Sequence, residues 1–273
     1  MIEIPEASTL ARQLTHTISG KTIVEAVAAS TPNAMAWYFG DPGEYGERLE
    51  GLDVTGASWS GGLVEIETGS MRVCFGDGVN LRYVAPGAKR PDKHQLLLAF
   101  DDGSAVAASV QMYGGLWAFP EGMNDNPYYL VAREKPSVLS DEFDFPYFQT
   151  LLTDKVVRKS AKAFLATEQR IPGLGNGVLQ DILWRAGIHP KQKMDTVDLQ
   201  GLYDAVTSVL ADMTASGGRD TEKDLFGNPG GYVVIMGSKH NGEPCPTCGT
   251  PITRMSYMGG NVYVCAQCQR IPA

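Results

Sequence analysis

Apolar residues recur at helical spacing at the start of the chain. They alternate through its first half and return to helical spacing after residue 150. Leu10, Leu14 and Ile18 fall at i, i+4 and i+8 behind Pro5, and Gly20 follows them. Proline suits a first helical turn and glycine a helix end, so an opening helix is expected. Strand-like runs follow at Thr22–Ala29, Gly62–Glu67, Arg72–Phe75, His94–Phe100 and Ser104–Val110. Asp101-Asp102-Gly103 marks a hairpin turn between the last two. Leu199, Leu202, Tyr203, Val206, Val209, Leu210 and Met213 share one helical face. Thr196 is the expected N-cap of that helix, and Gly217-Gly218 its end. These textures divide the chain into a β-rich unit over 1–130, a linker over 131–150 that closes a stretch rich in Pro, Asn, Asp and Tyr over 119–150, a helical unit over 151–235 and a small unit over 236–273. Arg219–Gly231, rich in glycine and charge, reads as a mobile loop.

The 273 residues are 43% hydrophobic and 20% charged, which excludes bulk disorder. No apolar run reaches the roughly 20 residues of a membrane span, and Met1–Glu6 lacks a signal-peptide pattern. A non-membrane, cytoplasmic protein is expected. The net charge of −8 argues against coating nucleic acid by bulk electrostatics. The distribution alters that reading. Residues 1–150 carry −10, whereas 151–193 carry +5 and 236–273 carry +2. A polyanion would have to meet those two positive segments.

Four of the five cysteines stand as Cys245-Pro-Thr-Cys248 and Cys265-Ala-Gln-Cys268, sixteen residues apart. Two such knuckles at the ends of a hairpin form a tetrahedral S4 site, which favours one structural Zn2+. Disulfides are the competing reading, disfavoured by the odd cysteine count and the missing signal pattern. Iron–sulfur ligation is a further alternative, less suited to this spacing. Cys74 lies in a strand pattern and reads as a buried thiol.

Gly173-Leu-Gly175-Asn176 precedes the helical pattern of Val178, Leu179, Ile182 and Leu183. Such a turn offers backbone N–H groups at the positive end of a helix, a phosphate site. Asn176 adds an amide donor, and Arg170, Arg185, Lys191 and Lys193 supply positive charge nearby. Gly187-Ile-His-Pro190 then turns the chain into the next helix, giving two helices that could grip a duplex backbone.

On these residues the chain resembles the bacterial formamidopyrimidine-DNA glycosylase and endonuclease VIII family over essentially its whole length. Glu3-Ile4-Pro5-Glu6 is similar to its N-terminal signature, Gly173 to Pro190 to its helix–two-turn–helix motif, and Gly242 to Gln269 to its zinc finger. The resemblance implies an α+β multidomain fold: an N-terminal β-sandwich with an opening helix, a helix–two-turn–helix domain, and a C-terminal β-hairpin zinc finger. It also implies double-stranded, damaged DNA as partner, excision of oxidised bases and cleavage at the abasic site, in a monomeric, bacterial, nucleoid-associated protein.

Carried over by position, Glu3 matches the general acid and Glu6 the next carboxylate. Ile2 stands where the family has its nucleophilic proline. A large second residue also disfavours removal of Met1, which would leave an amide nitrogen at Ile2. The expected β-turn lysine falls at Gly61-Gly62, the finger arginine on Gly260, and the intercalating arginines on Gln111-Met112-Tyr113, leaving Met112 and Tyr113 as wedges. Tyr83 is aligned with a family methionine, and Asp181 with a glutamate. The expectation is a damaged-DNA-binding protein with weak or absent glycosylase and lyase activity. The alternative is a non-catalytic DNA- or RNA-binding zinc-finger scaffold.

Overall fold

The structure, a computed structural model, describes residues 1–271. The first domain runs α1 (Ile4–Ile18), β1 (Ile23–Ala28), β2 (Ala36–Tyr38), α2 (Tyr45–Leu49), β3 (Val54–Ser60), β4 (Leu63–Thr68), β5 (Met71–Phe75), β6 (Val79–Val84), β7 (Leu96–Phe100), β8 (Ala105–Val110) and β9 (Gly114–Pro120). Then come α3 (Pro127–Glu134), α4 (Phe145–Thr150), α5 (Ala161–Ala166), α6 (Leu179–Arg185), α7 (Leu199–Ala215), and the hairpin β10 (Ile252–Tyr257) and β11 (Gly260–Cys265).

The strands of the first domain form two sheets, ordered β1-β7-β8-β6 and β2-β9-β5-β4-β3, antiparallel except for β2 beside β9. Side chains alternate along a strand, so each sheet turns one apolar set inward. Ile23, Val64, Ile66, Val73, Leu98 and Val106 meet there. Leu10, Leu14 and Ile18 of α1 join the same core, as their spacing predicts. A buried aliphatic side chain of this size contributes roughly 1.5–3 kcal/mol. Tyr45 is also fully buried, and its hydroxyl accepts from Phe39 N and Ala118 N and donates to Leu116 O.

The second core lies among α4 to α7. Leu202, Val206, Val209, Leu210 and Met213 of α7 pack on Phe164, Ile182 and Leu183. Its N-cap is Asp198 rather than the expected Thr196. The 131–150 linker is likewise corrected. It contains the end of α3 and all of α4, and Val138, Phe143 and Phe148 are buried in the helical core. Those aromatic residues stabilise it against the entropy that its polar composition suggested.

The 219–231 loop is not free either. Leu225 is fully buried in the β-sandwich core, and Leu225 O accepts from Tyr83 N at 2.9 Å. Gln13 Nε2 donates to Asp224 Oδ2 at 2.9 Å and Arg82 Nη1 to Asp224 O at 2.6 Å. The segment is a strap that leaves the helical domain and fastens onto the first.

Candidate nucleic-acid interface

The N-terminal arm lies at the junction of the two domains. Glu3 is buried, and its carboxylate accepts from Gly177 N and Val178 N, both at 2.9 Å. These are the amides opening α6. The helix-start anion site expected for a phosphate is therefore filled by the protein's own carboxylate. Close packing selects the glycines here. A Cβ on Gly175 would lie 2.7 Å from Glu3 Oε1, one on Gly177 1.6 Å from Arg219 Nη1, and one on Gly173 2.2 Å from Gly62 N. Gly61 is closed to a side chain for the same reason, since a Cβ there meets Pro172 at 2.7 Å, and Gly62 is tight, with Gly173 Cα and Ile2 O each 3.2 Å from where a Cβ would be.

Arg219, unremarked in the sequence, closes the cluster. Its Nε and Nη2 pair with Glu6 Oε1 and Oε2 at 3.0 and 2.8 Å, and Nη1 lies 3.6 Å from Glu3 Oε1. Burial opposes its charge, but Glu3 and Glu6 more than offset this and hold its pKa above the ordinary value. Burial raises the Glu3 carboxyl, with Arg219 working in the other direction. Ile2 is buried, and its backbone N–H donates to Asp77 O at 2.7 Å. The Met1 α-ammonium pairs with Glu222 at 2.5 Å.

Beside this arm a cleft of about 750 Å³ opens between the domains and the finger hairpin. Gly173, Gly175 and Asn176 line it, as do Met112 and Tyr113. Asn176 Nδ2 donates to Asn261 O on the finger, at 3.1 Å. Lys162 is the one Lys or Arg on the walls among the described residues. Its ammonium donates to Tyr257 O at 2.8 Å and lies 3.6 Å from where a Cβ on Gly260 would be, so α5 brings positive charge to the side-chain-free finger position. Burial lowers the Lys162 pKa. Met112 is 65% exposed, and the Tyr113 ring lies 5.6 Å from that of Trp37, a rim residue with no periodic signal.

Arg170 does not reach this site. It is buried, with Nη1 donating to Ala163 O, Phe164 O and Thr167 O at the end of α5 and Nη2 paired with Glu168. Lys193 is exposed on the helical domain, outside the cleft walls. Asp181 gains a role as a tie to the segment leading into the finger, accepting from Ile235 N at 3.0 Å and Met236 N at 2.6 Å.

The four finger cysteines converge, with ligand atoms within 4.8 Å of one another. Cys245 and Cys268 Sγ are 3.8 Å apart, Cys248 and Cys265 Sγ 3.4 Å. A Zn–S bond of about 2.3 Å implies tetrahedral S–S edges of about 3.8 Å, so the donor set fits one structural Zn2+ with no ligand position left for water. Trp184 Nε1 points at Cys245 Sγ from 3.4 Å, and Gln269 joins Cys265 N to Ile188 O, docking the finger on α6. Cys74 is buried, as expected.

Residues 242–271 match the family model described as a zinc finger found in FPG and IleRS. The formamidopyrimidine-DNA glycosylase of Corynebacterium efficiens is 28% identical, covering 99% of this chain and 100% of that protein. The Geobacillus kaustophilus protein of the same name is also 28% identical, over 99% and 100%. The chain is a divergent relative of the formamidopyrimidine-DNA glycosylases. Its fold is theirs. Lactococcus lactis Fpg in complex with abasic-site DNA superposes with a TM-score of 0.84 at 23% identity, over 98% of this chain and 99% of that one. Thermus thermophilus MutM (FPG) gives 0.81 at 23%, over 99% and 100%. Among the described residues no helix is long and apolar enough to cross a membrane.

Proposed function

We propose that the protein is a DNA-repair protein that binds damaged duplex DNA in this cleft, and that the nitrogen of residue 2 does not attack the sugar. One observation carries the second half. With Met1 kept, as the bulk of residue 2 favours, Ile2 N is an amide, and it donates to Asp77 O at 2.7 Å beneath a buried side chain. An amide nitrogen has no free lone pair for a Schiff base, and a nucleophile must sit within about 3.5 Å of the reacting carbon. The relatives' name and the abasic-site DNA in the Lactococcus complex support DNA as the ligand. Asn176 and Lys162 on one wall and Met112 and Tyr113 on the other supply polar, cationic and wedge contacts.

A gel-shift titration with abasic-site and intact duplexes tests the binding. Abasic DNA is expected to bind more tightly, and Asn176→Ala to weaken it. Equal affinity for the two duplexes, or an indifferent Asn176→Ala variant, would place the DNA elsewhere. One observation favours a second reading, an active glycosylase and lyase. Met1, which carries the α-ammonium paired with Glu222, lines the same cleft as Glu3. Covalent trapping distinguishes the two.

A further inference from the structure

A second cavity, of about 200 Å³, shares no lining residue with the cleft. Two stretches of chain separate them. Glu3 and Gly173 line the cleft, and their neighbours Ile4 and Pro172 line the cavity. The segment leaving α3 supplies Arg133, Lys135 and Val138. Trp59, near the end of β3, also lines it and packs partly buried against both the sandwich core and the helical core. The cavity therefore lies at the joint between the two domains.

Its charged lining is cationic. Arg133 and Lys135 line it, and among the described residues no Asp or Glu does. Lys135 Nζ donates to Gln169 O at 2.7 Å and to Arg170 O at 3.3 Å, two carbonyls that carry no counter-charge. Burial lowers the Lys135 pKa and the like charge of Arg170 lowers it further, the response of an ammonium with no carboxylate beside it. Arg133 Nη1 pairs with the buried Glu65 at 3.2 Å, while 45% of the arginine side chain stays exposed. Ser60 adds a hydroxyl to the lining. A part-buried cation without a counter-ion is poorly solvated, and an anion beside it relieves that cost.

We propose that this cavity binds a small organic anion, its oxyanion head held by Lys135, Arg133 and Ser60 and its flat apolar body lying against Trp59, Ile4 and Val138. A few convergent polar groups on an apolar wall are the usual make-up of a small-molecule site. A bare inorganic ion would leave the apolar wall wet, and a neutral ring would leave Lys135 without a counter-charge. The site does not depend on the DNA-binding reading. Its occupant would touch both domains at their joint, on the far side of the N-terminal arm from the cleft.

The test is isothermal titration calorimetry of the zinc-loaded full chain with phenyl phosphate. This probe is expected to bind about tenfold more tightly than inorganic phosphate, which lacks the ring, and than benzyl alcohol, which lacks the charge. Benzoate is titrated beside it, and the tighter of the two anions shows whether the head is a phosphate or a carboxylate. Lys135→Gln keeps a donor for the two carbonyls and removes the charge, and should weaken the anion about tenfold. Ser60→Phe fills the cavity and should abolish binding. Thermal melts confirm that each variant folds. No binding of either anion, equal affinity for phenyl phosphate and inorganic phosphate, or an affinity unchanged in both variants overturns the site. Each of these results leaves the DNA reading intact, because cavity and cleft share no lining residue.

Discussion

Replacing Arg219 with methionine keeps most of the side-chain volume and removes the charge that two buried carboxylates share. Arg219 meets Glu6 through two contacts of 3.0 and 2.8 Å and stands 3.6 Å from Glu3. Removing one partner of a buried ion pair costs about 3–5 kcal/mol, because the remaining charge has no counter-ion and little water. For a chain of this size each kcal/mol shifts Tm by roughly 2–4 °C, so a loss of about 6–20 °C is expected. The loss should depend on pH. Burial already lifts the Glu3 carboxyl above its ordinary 4.5, and Arg219 pulls it down. Without Arg219 the folded-state pKa climbs further, so the folded variant takes up a proton that the unfolded chain does not. Stability then rises as pH falls from 7 toward the unfolded value, and the deficit against wild type narrows. Adding Glu6→Gln should recover part of the loss. Calorimetry at pH 7 and pH 5 measures all three effects. A Tm loss below about 3 °C, or a deficit of equal size at both pH values, would refute the view that Arg219 neutralises this arm.

Chelating the metal should unfold the hairpin of β10 and β11 while the β-sandwich persists, because site assembly and local folding are linked; a one-to-one zinc content before chelation and loss of hairpin amide protection afterwards check this. Leu225→Ala should destabilise by about 2–5 kcal/mol, since Leu225 is fully buried in the sandwich core, and should expose the strap to protease. Lys162→Met should weaken all duplexes alike and reduce the salt slope of binding by about one, the signature of a lost phosphate contact; an unchanged slope would remove Lys162 from the interface.

What was legible in the sequence is what is local. Leu10, Leu14 and Ile18 announce α1 because their spacing is the helix period, and each is buried. The cysteine pairs announce the metal site because a knuckle is four residues long. β9 escaped notice because its residues Gly114 to Phe119 are all buried, leaving no alternation to see. Phe143 and Phe148 hide among Pro, Asp and Ser, and composition alone made a linker of a segment that two aromatic rings fasten to the helical core. Leu225 is a single apolar residue in a charged loop, with no period to reveal that it crosses to the other domain. The site suffers most from this limit. Glu3 meets Gly177 and Val178 across 174 and 175 positions, and Arg219 meets Glu6 across 213. The turn at 173–177 looked like a phosphate cradle, and nothing near it in sequence disclosed that a carboxylate fills it. Arg170 looked like a DNA contact because charge is visible in sequence and burial is not.

On the proposed reading the cleft binds DNA while the nitrogen of residue 2, held by Asp77 O, forms no bond with it. Borohydride trapping on abasic-site duplex, run beside a gel shift of the same samples, tests it most directly. A shifted, reversible complex and no covalent adduct at the residue-2 nitrogen are expected. An adduct that requires Glu3 and maps by peptide mass to the nitrogen of Ile2 would contradict it.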